Sequence, residues 1–403
     1  MSAIALPAAL RKFEGRISDV DSHEMMPAQE WVRHFGPEVQ AFADAWSLRS
    51  ENDRTDKNHP SVPDYPGDIL PVGPDIGDVK GARAPGAMEP ARRLEVMDAM
   101  GIRRQLMFPS GVGMHSFFML SRDKNYKFLE SIGGDRHALA KQWITLYNEW
   151  GIGAAKTSDR LRPALPVFGD TVEELIANAR YLIKSGIRAL WISSSQPPGG
   201  KSPASAELDP FWAMLAEADC VAALHAGTEG RFLHTDVWKE AEAFEGHLTL
   251  SEFAADPWSM SIFHWPSQNF LATIVNGGVF ARHPKLRFGI FEVGGHWIGP
   301  MMESLDNWYK SFSGFAPSHT FKLPKLPSEY IHSNVRVAVF PFEDVGMYIE
   351  RHGLDDIFCF STDYPHVEGG GNALSTFYDK IQRLGPDVVE KFFVTNGQYV
   401  LPD

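Results

Sequence analysis

The feature of this 403-residue sequence that most limits its fold is a regular alternation of short apolar runs with longer helical patterns. In one such unit the helical run ARRLEVMDAMG, with Leu94, Met97 and Met100 on one face and Gly101 at its end, precedes the β-prone run IRRQLMFP. Strands that are apolar along their whole length, with helices between them, predict a parallel sheet covered by helices. Eight such units predict a closed (β/α)8 TIM barrel. An open doubly wound sheet is the competing topology, but no G-x-G-x-x-G turn follows any strand.

The predicted strands extend from Ile17 almost to the C-terminal helices. In chain order they read ISDVD, IRRQLMFP, RLRPALPV, IRALWIS, CVAALHAG, LRFGIFEVGG, NVRVAVF and IFCFSTDYP. Further helices are predicted over about residues 117–155, 170–186, 209–218, 268–282, 296–312 and 342–352.

Two long stretches interrupt the alternation, and we interpret both as insertions in a single barrel domain that covers residues 1–403. About residues 51–90 are too rich in proline, glycine and aspartate for helix or sheet, and about residues 228–257 form an irregular stretch after the fifth strand. Such stretches are either functional or solvated surface excursions. For the first stretch we expect a lid or wall over the residues that end strand one.

The charge and apolar patterns exclude some classes of partner. The net charge is −13 and no dense block of lysine and arginine occurs, which argues against a nucleic-acid surface. No run of about 18 apolar residues is present, and the N-terminus lacks the basic start and cleavage site of a secretory signal. Cys220 and Cys359 lie in separate apolar runs, so no disulfide framework is expected. The expectation is a cytoplasmic protein that acts on a small molecule.

The first predicted strand ends in Asp21-Ser22-His23. Because side chains alternate along a strand, Asp21 and His23 point the same way and can hold a metal ion together. The alternative is that Asp21 caps a turn and His23 is a surface imidazole, since a D-x-H pattern is very short.

Three more strands end in a side chain that can bind a metal. His225 ends strand five, Glu292 ends strand six and Asp363 ends strand eight. Each of these residue types also caps turns and helices. Because the carboxyl ends of the strands of a barrel converge at one mouth, their joint occurrence predicts a metal site there.

The motifs ISDVDSHEMMPAQEW, ALHAG, GGVFARHPKLRFGIFEVGGHWIGPMMESLD and FSTDYPHVEG occur in an order that resembles the amidohydrolase superfamily. The resemblance is strongest to its amidohydrolase-2 branch, which includes aminocarboxymuconate-semialdehyde-decarboxylase-like proteins. It implies a barrel enzyme with one or two divalent ions, held by Asp21, His23, His225 and Asp363. It also implies that Asp363 handles protons, that His366 orients Asp363 or contacts substrate, and that the chain can form a homodimer.

The chain departs from the pattern of that superfamily at two strands. Strand one offers Asp21 where the superfamily usually has histidine, and strand six offers Glu292 where the decarboxylases use a histidine. Glu292 and His296, four residues apart, share a face if a helix starts there, which would bring both to the metal site. Alternatively, Glu292 pairs with an arginine and His296 caps a helix.

Other residues near the predicted mouth have open roles. His264 can be a hydrogen-bond donor behind the ligands, a further ligand or a helix cap. Trp265, Trp297, Phe291 and Tyr364 either form an apolar wall of the substrate pocket or belong to the core.

A centre of carboxylates and imidazoles without thiolate suits zinc, manganese or iron. The leading hypothesis from the sequence is metal-dependent hydrolysis of an amide, lactone or ester by an activated water. Three alternatives are decarboxylation or hydration of an aromatic or muconate-like acid, oxygen activation by two non-haem irons, and a catalytically inactive binding protein.

Overall fold

The computed structural model of the protein describes residues 6–52, 65–122, 131–229, 234–244, 248–249, 254–315 and 322–403. In this part of the chain eight parallel strands form one sheet in the order β1-β2-β3-β4-β5-β8-β9-β10, and two short strands, β6 and β7, pair antiparallel. The strands are β1 (Ile17–Asp19), β2 (Ile102–Met107), β3 (Leu161–Pro166), β4 (Ala189–Trp191), β5 (Val221–His225), β6 (Leu248–Thr249), β7 (Ala254–Ala255), β8 (Phe288–Phe291), β9 (Val335–Ala338) and β10 (Phe358–Cys359).

The sheet closes on itself where the chain continues beyond β1 and β10. The amide of Val20 donates to the carbonyl of Phe360 at 3.1 Å, and the amide of Asp363 donates to the carbonyl of Asp21 at 2.9 Å. Ser22 and Tyr364 form a further parallel bridge. These bonds complete the predicted TIM barrel and place the ends of its first and last strands side by side.

Helices cover the barrel between its strands. They are α1 (Ala28–Phe35), α2 (Gln40–Asn52), α3 (Pro90–Ala99), α4 (Gly111–Arg122), α5 (Arg136–Ala155), α6 (Val172–Lys184), α7 (Asp209–Glu217), α8 (Pro257–Ile262), α9 (Trp265–Asn276), α10 (Val279–Arg282), α11 (Ile298–Phe315), α12 (Pro327–Asn334), α13 (Val345–His352), α14 (Ala373–Ile381), α15 (Pro386–Glu390) and α16 (Asn396–Val400). None of the helices in these described ranges is long and apolar enough to cross a membrane.

The helix boundaries follow local chemistry where the sequence signals are strong. Thr171 caps α6, because its side chain accepts a hydrogen bond from the amide of Glu174. The helix expected over 268–282 is instead two helices, α9 and α10. Gly278 adopts a left-handed conformation with φ 71° between them.

The zone expected to be helical over 117–155 contains α4 and α5, which begin at Gly111 and Arg136. Residues 123–130 of that zone lie outside the described residues. The sequence patterns did not predict α1, α2 or α12. The buried face of α1 is only Ala28, Trp31 and Phe35, which is too short a repeat to stand out in the sequence.

Both expected insertions lie where the alternation stops. Residues 53–64 of the first fall outside the described residues, and residues 65–89 form an irregular segment with a single 3-10 turn at Ile76–Asp78. Residues 230–233, 245–247 and 250–253 of the second also fall outside them. Its described parts contain 3-10 turns at His234–Glu240 and Glu242–Phe244 and the paired strands β6 and β7.

Candidate metal centre

The strand ends bring six metal-capable side chains together at the barrel mouth. They form two overlapping groups, His23 with Glu292, Asp363 and His366, and His23 with Asp21 and His225. Within each group the atoms that can bind a metal lie within 4.8 Å of one another. Two residues from the end of β1 thus meet the ends of β5, β8 and β10, as the barrel topology predicts.

His23 is at the centre of the cluster. Its Nε2 lies 3.7 Å from Asp21 Oδ1, 3.7 Å from Glu292 Oε2 and 3.6 Å from Asp363 Oδ1. Its Nδ1 lies 3.2 Å from the carbonyl oxygen of Pro109, so a proton on Nδ1 leaves the lone pair of Nε2 free for a metal. A single lone pair can bind one ion. Because both groups of metal-capable residues contain His23, we interpret them as the surroundings of one ion.

His225 forms an ion pair with Glu292. Its Nε2 lies 2.8 Å from Glu292 Oε2 and 3.5 Å from Asp21 Oδ1. Burial alone would lower the pKa of His225, but the two carboxylates outweigh burial and raise that pKa well above its usual value. Burial alone would raise the pKa of Glu292, but His225 and His23 hold it well below its usual range. Without a cation, a protonated His225 therefore compensates the charge of Glu292.

In the part of the chain that the structure describes, the carboxyl group of Asp363 lacks hydrogen bonds that would compensate its charge. Neither of its side-chain oxygens has a hydrogen-bond partner among the described residues, and the residue is only 5% exposed. Burial, followed by the charges of Glu292, Glu368 and Asp21, raises the pKa of Asp363 well above its usual value. Burial and these charges therefore favour the protonated form of Asp363 when no cation is bound.

His366 packs against the centre from the loop after β10. Its ring stacks on that of His23, with centroids 3.7 Å apart, and its Nε2 lies 3.0 Å from Ser110 Oγ. Its Nδ1 lies 3.5 Å from Asp363 Oδ1. Burial and the neighbouring His23 hold the pKa of His366 well below its usual value, so the imidazole is neutral. His366 thus lies beside Asp363, and it can also offer a ligand atom.

The backbone is strained at two of these strand ends. Glu292 and Asp363 adopt left-handed conformations, with φ of 56° and 50°. Such conformations cost about 1–3 kcal/mol each for residues other than glycine. The surrounding structure imposes them, and they turn both carboxylates toward His23.

The unpartnered atoms fit a bound divalent cation. Within the described residues, the buried atoms Asp21 Oδ1, His23 Nε2, both carboxylate oxygens of Asp363 and His366 Nδ1 have no hydrogen-bond partner. A buried polar atom left unpaired costs about 1–3 kcal/mol, and several in one cluster accumulate that cost. A divalent ion would compensate the carboxylates and coordinate these atoms, and an all-nitrogen-and-oxygen ligand set suits zinc, manganese or iron.

Two of the candidate residues form a separate group at the rim. His296 is half exposed, and its Nδ1 lies 3.8 Å from Glu343 Oε1, while its ring meets the ring of His264 edge-on at 4.6 Å. Burial, followed by the charge of His296, lowers the pKa of His264 to about 4. The structure does not bring either histidine into the groups around His23.

The predicted aromatic wall is only partly at the centre. The phenol of Tyr364 donates to the carbonyl of Pro85 at 2.8 Å, Trp297 is buried and stacks on His264, and Trp265 is 38% exposed. Phe291 is buried at the end of β8, with its ring 5.5 Å from that of Phe108.

The rings that contact the centre directly were not predicted. Phe108 lies 4.3 Å from the ring of His225, and Trp191 lies 5.2 Å from it on the end of β4. Each is an aromatic residue at or just beyond the end of an apolar strand. Their position at the strand ends is the sequence signal that would have identified them.

A buried polar layer supports the strand ends and was also not predicted. Asp19 accepts hydrogen bonds from the side chains of Thr362 and Gln105, and burial raises its pKa to about 6. Glu24 accepts hydrogen bonds from the amides of Met26 and Ser110, and burial raises its pKa to about 7. Asp19 and Glu24 flank the D-x-H pair in the sequence, which is the only local sign of their role.

Comparison with known proteins agrees with this geometry at the level of the fold. The most similar of three solved structures is an amidohydrolase from Mycobacterium avium subsp. paratuberculosis, with a TM-score of 0.67 and 19% identity over 96% of this chain and 99% of that one. A 5-carboxyvanillate decarboxylase from Novosphingobium aromaticivorans, solved with manganese and 4-hydroxy-3-methoxy-5-nitrobenzoic acid, has a TM-score of 0.58 and 17% identity, covering 96% and 97% of the two chains. A dihydroxybenzoic acid decarboxylase from Polaromonas sp., solved with manganese and 2-nitroresorcinol, has a TM-score of 0.57 and 16% identity, with the same coverage of 96% and 97%.

No curated protein sequence matches the chain. The family model described as amidohydrolase, Amidohydro_2, matches residues 133–402, which include β3 to β10 and the strand ends that carry His225, Glu292 and Asp363. The chain therefore belongs to this amidohydrolase family, as the resemblance in its sequence motifs implied.

Proposed function

We propose that this enzyme is a metal-dependent lyase that decarboxylates a hydroxylated aromatic acid. The observation that carries the proposal is the cluster of unpartnered carboxylate and imidazole atoms around His23, bordered by the rings of Phe108 and Trp191. The leading hypothesis from the sequence was hydrolysis, and decarboxylation was its alternative. The aromatic border and the raised pKa of Asp363 favour the alternative.

The proposed ligands of the ion are Asp21, His23, His225 and Asp363, with Glu292 beside them. A bound divalent ion would chelate the carboxylate and hydroxyl oxygens of the substrate and withdraw electrons from them. His23 and His225 are fixed for this role, because the Nδ1 of each ring lies within hydrogen-bond distance of a backbone carbonyl, at 3.2 and 3.0 Å. The Nε2 of each ring therefore faces the cluster without rearrangement.

The border of the centre suits a flat ring. Phe108 is tilted by 30° against His225, and Trp191 meets His225 at 71°. Phe108 and Trp191 also contact each other edge-on, with centroids 6.0 Å apart, and together they form an aromatic wall beside His225 against which a further ring can pack. The indole Nε1 of Trp191 is buried and has no hydrogen-bond partner among the described residues, so it is a donor available to a hydroxyl oxygen of the substrate.

Asp363 supplies the proton that decarboxylation requires. Its Oδ1 faces His23 and His366, and its Oδ2 has no partner among the described residues, so we assign Oδ2 to take up a proton from solvent and deliver it to the substrate. The proton moves from Oδ2 to the ring carbon that bears the carboxylate. The bond from that carbon to the carboxylate then breaks, its electron pair returns to the ring, and carbon dioxide leaves. Solvent reprotonates Asp363.

His366 orients Asp363 in this scheme. It is neutral, and Ser110 Oγ within 3.0 Å of its Nε2 fixes its ring against His23. A neutral imidazole beside Asp363 Oδ1 can accept or donate one hydrogen bond without adding a charge to the centre. The 5-carboxyvanillate and dihydroxybenzoic acid decarboxylases share the fold and were solved with manganese, which supports the choice of substrate class and metal.

The proposal is tested by incubating the manganese-loaded protein with 2,6-dihydroxybenzoate and 5-carboxyvanillate in 18O-labelled water. We expect release of carbon dioxide without 18O in the aromatic product, and incorporation of deuterium at the vacated ring position in D2O. The Asp363→Asn variant is expected to abolish this release. Absence of carbon dioxide from both acids in a protein shown to contain metal would contradict the proposed reaction.

Hydrolysis is a second candidate because of one observation. Glu292 lies 2.8 Å from His225, at the strand-six position where the resemblance expects the histidine used by decarboxylases. A carboxylate there favours a bound water over a substrate carboxylate, since like charges repel. Incorporation of 18O into the product of an ester or lactone substrate, without carbon dioxide, would support hydrolysis instead.

A further inference from the structure

Residues 81–89, which we call the wall, attach the first insertion to the metal centre, and the fully buried Arg93 at the start of α3 joins the two. We propose that Arg93 is a positioning residue that couples docking of the wall to metal binding. The inference rests on the proposed metal centre and concerns a residue outside the ligand cluster.

The guanidinium of Arg93 contacts three separate parts of the chain. Its Nη2 donates to the carbonyl of His23, its Nη1 donates to the carbonyl of Tyr364 at 3.2 Å, and its Nε donates to the carbonyl of Gly86 at 2.7 Å. His23 is a proposed ligand and Tyr364 follows Asp363. One side chain therefore fixes the ends of the first and last strands and one residue of the wall.

The wall has its own bonds to the same two strand ends. The carbonyl of Ala87 accepts from the amide of Met25 at 2.7 Å, and the carbonyl of Pro85 accepts from the phenol of Tyr364 at 2.8 Å. The amide of Gly81 donates to the carbonyl of Pro365 at 3.0 Å. A wall that is docked in this way holds the backbone on either side of His23 and Asp363.

Gly86 shows how closely the wall approaches α3. Its φ is 68°, and a Cβ atom at this position would lie 2.6 Å from Arg93 Cα. The Gly86 amide lies within hydrogen-bond distance of both carboxylate oxygens of Asp68, at 3.1 and 3.0 Å. The backbone of Gly86 is thus held by Asp68 at its amide and by Arg93 at its carbonyl. The contact between the wall and Arg93 is thus a tight fit of backbone against backbone.

Arg93 bonds to backbone carbonyls in the buried interior. Its three carbonyl acceptors belong to buried or nearly buried backbone, and its side chain is 0% exposed. Removing the guanidinium leaves those carbonyls unpaired, and each buried unpaired group costs about 1–3 kcal/mol. The strand ends can shift so that these carbonyls find other partners. Such a shift would move His23 Nε2 and the Asp363 carboxylate away from the proposed metal position.

Coupling of this kind is reciprocal. If docking of the wall aligns His23 and Asp363, metal bound between them must strengthen docking of the wall by the same factor. Loss of a residue that supports metal ligands typically weakens metal binding by about 10–100-fold. A residue that only stabilises the fold lacks this effect once the protein is folded.

The test compares Arg93→Met and Arg93→Lys with Arg104→Met as a matched control. Arg104 is also buried, at 7% exposure, but its ion pairs are with Asp159 and Asp403, which do not belong to the strand ends at the mouth. Manganese affinity is measured by titration calorimetry, and hydrogen exchange of residues 81–89 is measured with and without manganese.

In the wild-type protein we expect manganese to slow exchange in the wall. In Arg93→Met we expect about 10–100-fold weaker manganese binding and loss of that protection, with Arg93→Lys between the two because it keeps the charge and fewer well-placed donors. Arg104→Met is expected to lower the melting temperature and leave both readouts unchanged. If either folded Arg93 variant bound manganese with wild-type affinity, the role of Arg93 would be wrong and the metal centre would be unaffected. If the wild-type protein bound no manganese, both the metal centre and the role of Arg93 would be wrong.

Discussion

Asp363→Asn should separate metal binding from folding stability. The substitution keeps the shape of the side chain and removes a carboxyl group whose oxygens have no partner among the described residues. Burial and the nearby carboxylates raise the pKa of Asp363, which favours the neutral form of this group in the metal-free protein. Exchange for a neutral amide is therefore expected to change the metal-free stability by less than about 1 kcal/mol.

Metal binding should respond in the opposite way. Asp363 Oδ1 lies 3.6 Å from His23 Nε2, and loss of one charged ligand is expected to weaken manganese binding by about 100-fold, or about 2.7 kcal/mol. At a manganese concentration of about 100 times the wild-type Kd, the ion stabilises the wild-type protein by about 2.7 kcal/mol and the variant by only about 0.4 kcal/mol. Thermal unfolding with and without manganese measures this difference directly.

Asp356→Asn is the matched control. Asp356 is partly buried and pairs with His332 at 2.8 Å, away from the centre. Its loss is expected to lower the metal-free stability by about 0.5–1 kcal/mol and to leave stabilisation by manganese unchanged. An Asp363→Asn variant that is destabilised without metal as the control is, and that keeps the full effect of manganese, would contradict the role of Asp363 as a ligand.

Three further outcomes follow from the same geometry. Metal affinity should fall as the pH decreases, because the raised pKa of Asp363 lets protons compete with the ion, and calorimetric titrations between pH 6 and 8 that give one constant affinity would contradict this. His225→Ala should lose metal, and full occupancy by elemental analysis would remove His225 from the ligand set. His296→Ala should keep its metal, since His296 lies beside Glu343 and outside the groups around His23; loss of metal would show that His296 reaches the ion.

The fold could be predicted because it depends on patterns that are local in sequence. Apolar strands separated by amphipathic helices specify a parallel barrel, and the barrel fixes where the strand ends meet. For that reason Asp21, His23, His225, Glu292 and Asp363 could be placed at one mouth before their distances were known.

The placement of His296 shows where local reasoning fails. A spacing of four residues brings two side chains together only if the chain between them is helical. Here the backbone turns through left-handed conformations at Glu292 and Gly294, with φ of 56° and 72°, and α11 begins only at Ile298. The strain that directs Glu292 toward His23 thus places His296 at the rim.

The support that Arg93 and the wall give to the centre left no sign in the sequence. Arg93 bonds to the backbone of Tyr364, which is 271 residues away, and carbonyl acceptors have no residue-specific pattern. The insertion that contains Gly86 reads only as proline-rich and glycine-rich, and its attachment to Met25 and Pro365 depends on the closed barrel. Such contacts become visible only when the fold is known.

Elemental analysis of protein purified without chelators or added metal tests the central claim most directly. The cluster around the single available lone pair of His23 predicts one divalent ion per chain, with manganese, zinc or iron as the element. Two irons per chain with substrate-dependent oxygen uptake would favour the di-iron alternative. A protein that contains no metal, and binds neither manganese nor zinc when they are added, would contradict the proposed centre and the reaction assigned to it.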